Sequence, residues 1–168
     1  GLNTDLLNTD PLTSERTTIS RTNAMDIRLE LLLALRLVLA AALGAIIGFE
    51  RELRGRSAGL RTFAAVSLGS CLFSIISYIV VPEGNETTRV AAQVVTGVGF
   101  LGAGVILHGQ GHVSGLTTAA TLWATAAVGM AVGFGYYFLA AIATLLLVFL
   151  LLLRFVPGLD RPTNDGQG

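Results

Sequence analysis

Arg89–Gly129 reads RVAAQVVTGVGFLGAGVILHGQGHVSGLTTAATLWATAAVG. After Arg89 it contains no Asp, Glu, Lys or Arg. It reads as two apolar helices joined by a loop that contains Gly and His. Both helices are rich in Gly, Ala, Thr and Ser, residues small enough to let helix backbones approach closely within a membrane. The hairpin is therefore expected to form the centre of a helical membrane bundle.

Bulk composition agrees. The chain has 168 residues, 52% hydrophobic and 13% charged, with a mean hydropathy of +0.70. A soluble domain averages about 25% charged. Net charge is zero, and without a basic excess or basic run nucleic-acid binding has little support. The single cysteine, Cys71, lies in an apolar run and reads as a small buried residue.

Working outward, residues 1–25 are polar, lack the apolar core of a secretory signal, and read as a disordered tail. Met25 stands just before the first hydrophobic run, which marks residues 1–24 as a candidate extension. Five spans are expected in a membrane domain over 26–156, at about 29–49, 60–81, 90–107, 115–132 and 134–155, each near the ~20 residues a crossing needs. Residues 157–168 form a short polar tail. The first loop holds Arg51, Arg54, Arg56 and Arg61, whereas the second holds Glu83, Glu86 and Arg89. The positive-inside rule then puts the first loop and the C-terminus in the cytoplasm and the N-terminus outside.

Residues four apart share a helix face. Arg36, Ala40, Gly44 and Gly48 form one ridge, with Gly44 and Gly48 in a GxxxG spacing. Two readings of Arg36 stand: it faces the bundle, or it snorkels along its own helix. In the second span Ala64, Ser67, Cys71, Ser74 and Tyr78 form a packing stripe. In the third, Gln93, Gly97 and Gly104 share one face, and Ala92, Thr96, Gly99 and Ala103 the other, so the helix is expected between two neighbours. Arg36 and Gln93 should lie at similar depth and share a polar pocket, with the Gln93/Gly97 face against the Arg36–Gly48 ridge. In the fourth, Thr117, Thr121, Thr125 and Gly129 align, Ser114 is a candidate N-cap, and the indole N–H of Trp123 calls for a protein partner. The Leu-rich fifth span suits a lipid-facing helix.

No catalytic motif is present, and neither enzyme activity nor a cofactor is expected. GVGFLGAG lacks the strand and acidic residue of a dinucleotide site. His108 and His112 have no nearby Cys, Asp or Glu and make a poor metal site. The arginines of the first loop serve as an orientation signal and would attract anionic headgroups. The short turn through Gly59 predicts an ion pair between Glu50 and Arg61.

Three stretches, GAIIGFERELRGRSAGLRT (44–62), RVAAQVVTGVGFLGAGVIL (89–107) and VSGLTTAATLWATAAVGMAVGFG (113–135), together resemble the MgtC/SapB membrane family. The resemblance covers about residues 29–155. It implies a multi-pass protein of the bacterial inner membrane, linked to growth under magnesium limitation and, in pathogens, to survival inside host cells. Family members are labelled magnesium transporters, yet the best-known member is thought to act on membrane partners, including the F-type ATP synthase. Carried over by motif, the positions of interest are Gly44, Gly48, Glu50, Arg51, Gly59, Arg61, Thr62, Arg89, Gln93, Gly97, Gly99, Gly102, Gly104, Gly115, Thr117, Thr118 and Trp123; the residue reading adds Arg36. The family archetype also has a cytoplasmic C-terminal domain, which the resemblance does not reach.

Two functions are therefore expected in competition. One is a regulatory or scaffolding protein acting by helix–helix contact with membrane partners, compatible with a homo-oligomer. The other is a transporter or channel for Mg²⁺ or another ion. Mg²⁺ sites usually employ carboxylates plus water, and Glu30 and Glu50 lie only at helix ends.

Overall fold

The computed structural model describes residues 11–80, 87–109 and 112–153. They form helices α1 (Pro11–Leu53), α2 (Leu60–Val80), α3 (Thr87–Val105), α4 (Leu116–Gly133) and α5 (Tyr137–Leu152). Between α3 and α4, strands β1 (Leu107–Gly109) and β2 (His112–Ser114) pair antiparallel, with His108 opposite Val113. The chain is an all-α membrane protein with this one small ribbon. Among the described residues three helical segments are long and apolar enough to cross a membrane: Ile27–Leu53, Leu60–Ile79 and Leu116–Gly133. The apolar parts of α3 and α5, Ala91–Val105 and Tyr137–Leu152, are shorter. The ribbon takes Leu107 from the expected third span, and the turn after Gly133 delays the fifth.

The chain divides into two units, Gly1–Leu35 and Arg36–Gly168. In the first, residues 11–35 belong to α1, and Ile27, Leu29, Leu31, Leu32 and Leu35 are exposed. Residues 11–25 thus continue the helix where a disordered tail was expected. Proline is tolerated in a first turn, where its missing N–H has no partner to lose, and lengthening an existing helix requires no new nucleus. Residues 1–10 and the expected tail at 157–168 lie outside the described residues.

In the second unit α4, from the expected α3–α4 hairpin, touches α2, α3 and α5, and the interior lies along its seam with α2. Ser67, Ser70, Cys71, Ser74 and Ser77 are all buried. Gly44 and Gly48 of α1 press onto α2: a Cβ added at Gly44 would lie 2.5 Å from the Phe63 carbonyl oxygen, and one at Gly48 2.7 Å from the Leu60 Cα. From α4, a Cβ at Gly129 would overlap the Ser67 carbonyl, and one at Gly133 would lie 2.7 Å from the Cys71 carbonyl oxygen. Three helices thus meet at Ser67. The expected stripe on α2 holds except at Tyr78, which is 68% exposed; Ser77 takes its place inside.

The hydroxyls of this interior bond mainly to their own helices. Ser70 donates to the Val66 carbonyl, Ser74 to Ser70 and Thr125 to Thr121, each at 2.8 Å. Such bonds satisfy the hydroxyl locally and leave a surface of small residues for close packing. α3 joins through Val94 and Val98, which pack with Ala126, Val66 and Met130. α5 buries only Ala140, Thr144 and Leu151, as its Leu-rich sequence leads one to expect.

Candidate functional site

Among the described residues, the charged side chains inside the second unit lie at the two ends of α4. At its C-terminal end the last four carbonyls need partners, because a helix leaves them unsatisfied. Gly135 adopts φ 87°, a conformation open to glycine at little cost. This turns the chain so that Phe134 N–H reaches the Met130 oxygen, Tyr136 N–H the Ala131 oxygen and Gly135 N–H the Val132 oxygen, the Schellman pattern. One carbonyl is left, that of Gly133. Arg36 Nη1 donates to it at 3.1 Å. The guanidinium also lies over the Tyr137 ring, 5.7 Å from its centroid, a cation–π distance. A positive charge at a helix C-terminus is favoured by the helix dipole. Arg36 therefore faces protein, and the snorkelling alternative is set aside.

At the N-terminal end, Gly115 caps α4 with φ 89° and no side-chain cap bond. The expected cap at Ser114 is not formed, because a left-handed residue directly before Leu116 serves instead. One turn into α4, Thr118 Oγ1 accepts a hydrogen bond from Arg51 Nη2 at 3.0 Å. Arg51 and Glu50 are both buried. Glu50 pairs with Arg51 at 3.9 Å and, one helical turn on, with Arg54. Two guanidiniums thus neutralise one carboxylate and make its burial tolerable. Glu52 accepts the Leu60 N–H at 2.9 Å, closing the first turn of α2. The expected pair between Glu50 and Arg61 is replaced: Arg54 sits at the (i, i+4) position where a helix brings side chains together, and Arg61 is exposed.

The two ends are in register. Arg36 and Arg51 are fifteen residues apart on α1, and their partners Gly133 and Thr118 are fifteen apart on α4. At 1.5 Å per residue both separations are about 22 Å. Two arginines of one helix thus hold the two ends of another, across the close contacts at Gly44, Ser67 and Gly129.

The shared Arg36–Gln93 pocket does not form. Gln93 lines a cavity between α2 and α3, whereas Arg36 reaches the turn between α4 and α5. Likewise Gly44 and Gly48 of the Arg36–Gly48 ridge press on α2, whereas Gln93 and Gly97 face α2 only across that cavity. A helix-face argument shows which residues lie together, but not which neighbour they meet.

A family model described as MgtC family matches residues 37–157. The chain belongs to the MgtC family. Among similar proteins, an uncharacterised protein of Haemophilus influenzae is 44% identical over 135 residues, 75% of this chain and 56% of its own length. YhiD of Escherichia coli K12, provisionally named a magnesium transporter, is 49% identical over 110 residues, 61% of this chain and 51% of its own. Protein MgtC of Salmonella typhimurium is 46% identical over 114 residues, 68% of this chain and 48% of its own. The chain spans about half the length of the curated relatives it matches. No solved structure matches it.

The other expected MgtC-family positions separate in space. Glu50, Arg51 and Thr118 come together, and Gly44, Gly48 and Gly59 hold α1 and its loop against α2 and Glu52. Gly102 packs against Ala119. Gly97, Gly99 and Gly104 meet nothing within 4 Å of an added Cβ, so α3 meets its two neighbours, α2 and α4, through Val94, Val98 and Gly102 rather than through the two expected small-residue faces. Arg61, Thr62, Arg89 and Thr117 are exposed, although the Thr117 carbonyl accepts the Thr121 hydroxyl at 2.6 Å. Trp123 is 52% exposed and faces outward, because Leu122 and Thr121 occupy the inner face of that turn. Sequence reasoning missed the roles of Gly133, Gly135, Tyr137 and Glu52. The Gly-Phe-Gly run at 133–135 was the available signal for a helix stop, though not for its arginine partner.

Proposed function

We propose that this chain acts as a regulatory or scaffolding protein of the bacterial inner membrane in adaptation to low magnesium, through contacts of its helices with membrane partners. Family resemblance names the F-type ATP synthase as a candidate partner. The observation that supports this reading is the use made of buried charge. Among the described residues Glu50 is the one buried carboxylate, and it is paired with Arg51 and Arg54. Arg36 and Arg51 place positive charge inside the second unit, where it would repel a cation. No group of three or more His, Cys, Asp or Glu stands together among the described residues, whereas Mg²⁺ favours oxygen ligands from carboxylates. Large apolar side chains such as Phe100 and Phe138 stand outward, available to lipid or to another helix. No catalytic role is part of the proposal. We place the arginine-bearing loop after α1 in the cytoplasm and the N-terminus outside.

The name of YhiD favours the competing reading, magnesium transport. Purified protein in liposomes loaded with a Mg²⁺-sensitive dye separates the two. No uptake above empty liposomes, together with a membrane protein co-purifying from cells grown at low Mg²⁺, is the expected result. Robust Mg²⁺ uptake by the protein alone would overturn the proposal.

A further inference from the structure

Between α2 and α3 lies a cavity of about 500 Å³, walled by Ala65, Gly69 and Phe73 on one side and by Gln93, Gly97 and Leu101 on the other. Its glycines need a reason. Glycine in a helix costs about 1 kcal/mol relative to alanine, a cost that close helix contact often offsets. At Gly69 and Gly97 an added Cβ would meet nothing within 4 Å. Among the described residues neither serves a contact, and their missing side chains enlarge the cavity instead.

The lining is graded in polarity. Arg89, Gln93, Gly97 and Leu101 follow at four-residue steps along one face of α3, about 6 Å per step. Arg89 is exposed, one turn beyond the amide. Going inward the stripe passes from a cation to an amide and then to an apolar wall. A phospholipid has the same order: phosphate, ester carbonyls, hydrocarbon. An amide facing bare hydrocarbon is costly, and an ester carbonyl would accept its N–H. A helix is about 10–12 Å across. An acyl chain is far narrower. We propose that the cavity holds one acyl chain of a membrane phospholipid, its ester at the Gln93 amide and its phosphate toward Arg89. The inference does not depend on whether the protein moves Mg²⁺.

The test is photo-crosslinking of the full chain in phosphatidylethanolamine/phosphatidylglycerol vesicles that contain a trace of phospholipid with a diazirine on its acyl chain. Label should concentrate on peptides covering 65–73 and 93–101. Gly97→Leu should bring it near background, whereas Gly99→Leu, at an open position of α3 that does not line the cavity, should leave it unchanged. Arg89→Gln should lower labelling by the phospholipid about fivefold, as expected from losing one cation near a headgroup, but not labelling by a diacylglycerol probe with the same chains. Label spread evenly over the exposed faces of α1 and α5 would overturn the proposal. So would wild-type labelling of Gly97→Leu, equal loss of both probes in Arg89→Gln, or a change in oligomer mass in Gly97→Leu showing that a second copy occupies the groove. If Gly97→Leu does not fold, Gly69→Leu and the wild-type label map carry the decision.

Discussion

Arg36 shows how one intramembrane charge can be made useful. In hydrocarbon a backbone carbonyl without a partner is costly, because no water replaces the lost bond. The turn after α4 satisfies three terminal carbonyls with its own backbone and leaves the Gly133 carbonyl to Arg36. Arg36→Met keeps much of the apolar stem but removes the donor. It should destabilise the protein by about 1–3 kcal/mol, the cost of an unsatisfied buried polar group, with partial recovery in Arg36→Lys. Thr118→Val removes the partner of buried Arg51 and should cost a similar amount. Thermal unfolding in detergent measures both. Wild-type stability in Arg36→Met would show that the guanidinium contributes nothing to closing α4. The arginine was visible in the sequence as an anomaly. Its partner was not, because a carbonyl 97 positions away leaves no mark in residue type.

At the scale of the helix, glycines that look alike differ in what they do. Gly44, Gly48, Gly129 and Gly133 bring backbones together, whereas Gly97, Gly99 and Gly104 face open space. Gly129→Ala would force α4 away from the Ser67 carbonyl. It should destabilise by about 1–3 kcal/mol, the usual cost of overpacking. Gly99→Ala meets nothing and should be neutral or stabilising by up to about 1 kcal/mol, through helix propensity alone. Denaturation of the two variants side by side, in one detergent, checks the contrast; equal effects would mean that the α2–α4 contact is not the tight one. Spacing on a helix found the four-apart ridges on α1 and α4, since periodicity is local. It misjudged α3, because an amphipathic face of small residues reads the same whether a helix, a lipid or nothing lies against it. Trp123 and Tyr78 were misjudged for the same reason: in lipid an exposed aromatic carries no penalty that the sequence would reveal.

For the whole molecule, orientation is the property most open to a direct test. Ser57 lies in the exposed turn after α1, and Tyr136 lies exposed at the opposite end of α4. In a Cys71→Ser background, a cysteine at 136 should react with an impermeant maleimide in intact spheroplasts. A cysteine at 57 should react only after permeabilisation. The reverse pattern would invert the topology proposed from the arginine distribution.

The sequence carries the fold class, the five helices and their order, and the family, because hydropathy, helix breaks and motif order belong to neighbouring residues. It also marked Arg36, Glu50, Arg51 and Thr118 as residues of interest. Their pairing came from the packed helices. The packing put the interior at the seam of α4 with α2, gave Glu50 to Arg54 rather than Arg61, and separated Arg36 from Gln93. The physical reason is that in a membrane nearly every helix face is apolar. Hydrophobicity then cannot select a helix's neighbours, and the choice falls to close backbone approach and a few polar bonds between residues distant in the chain.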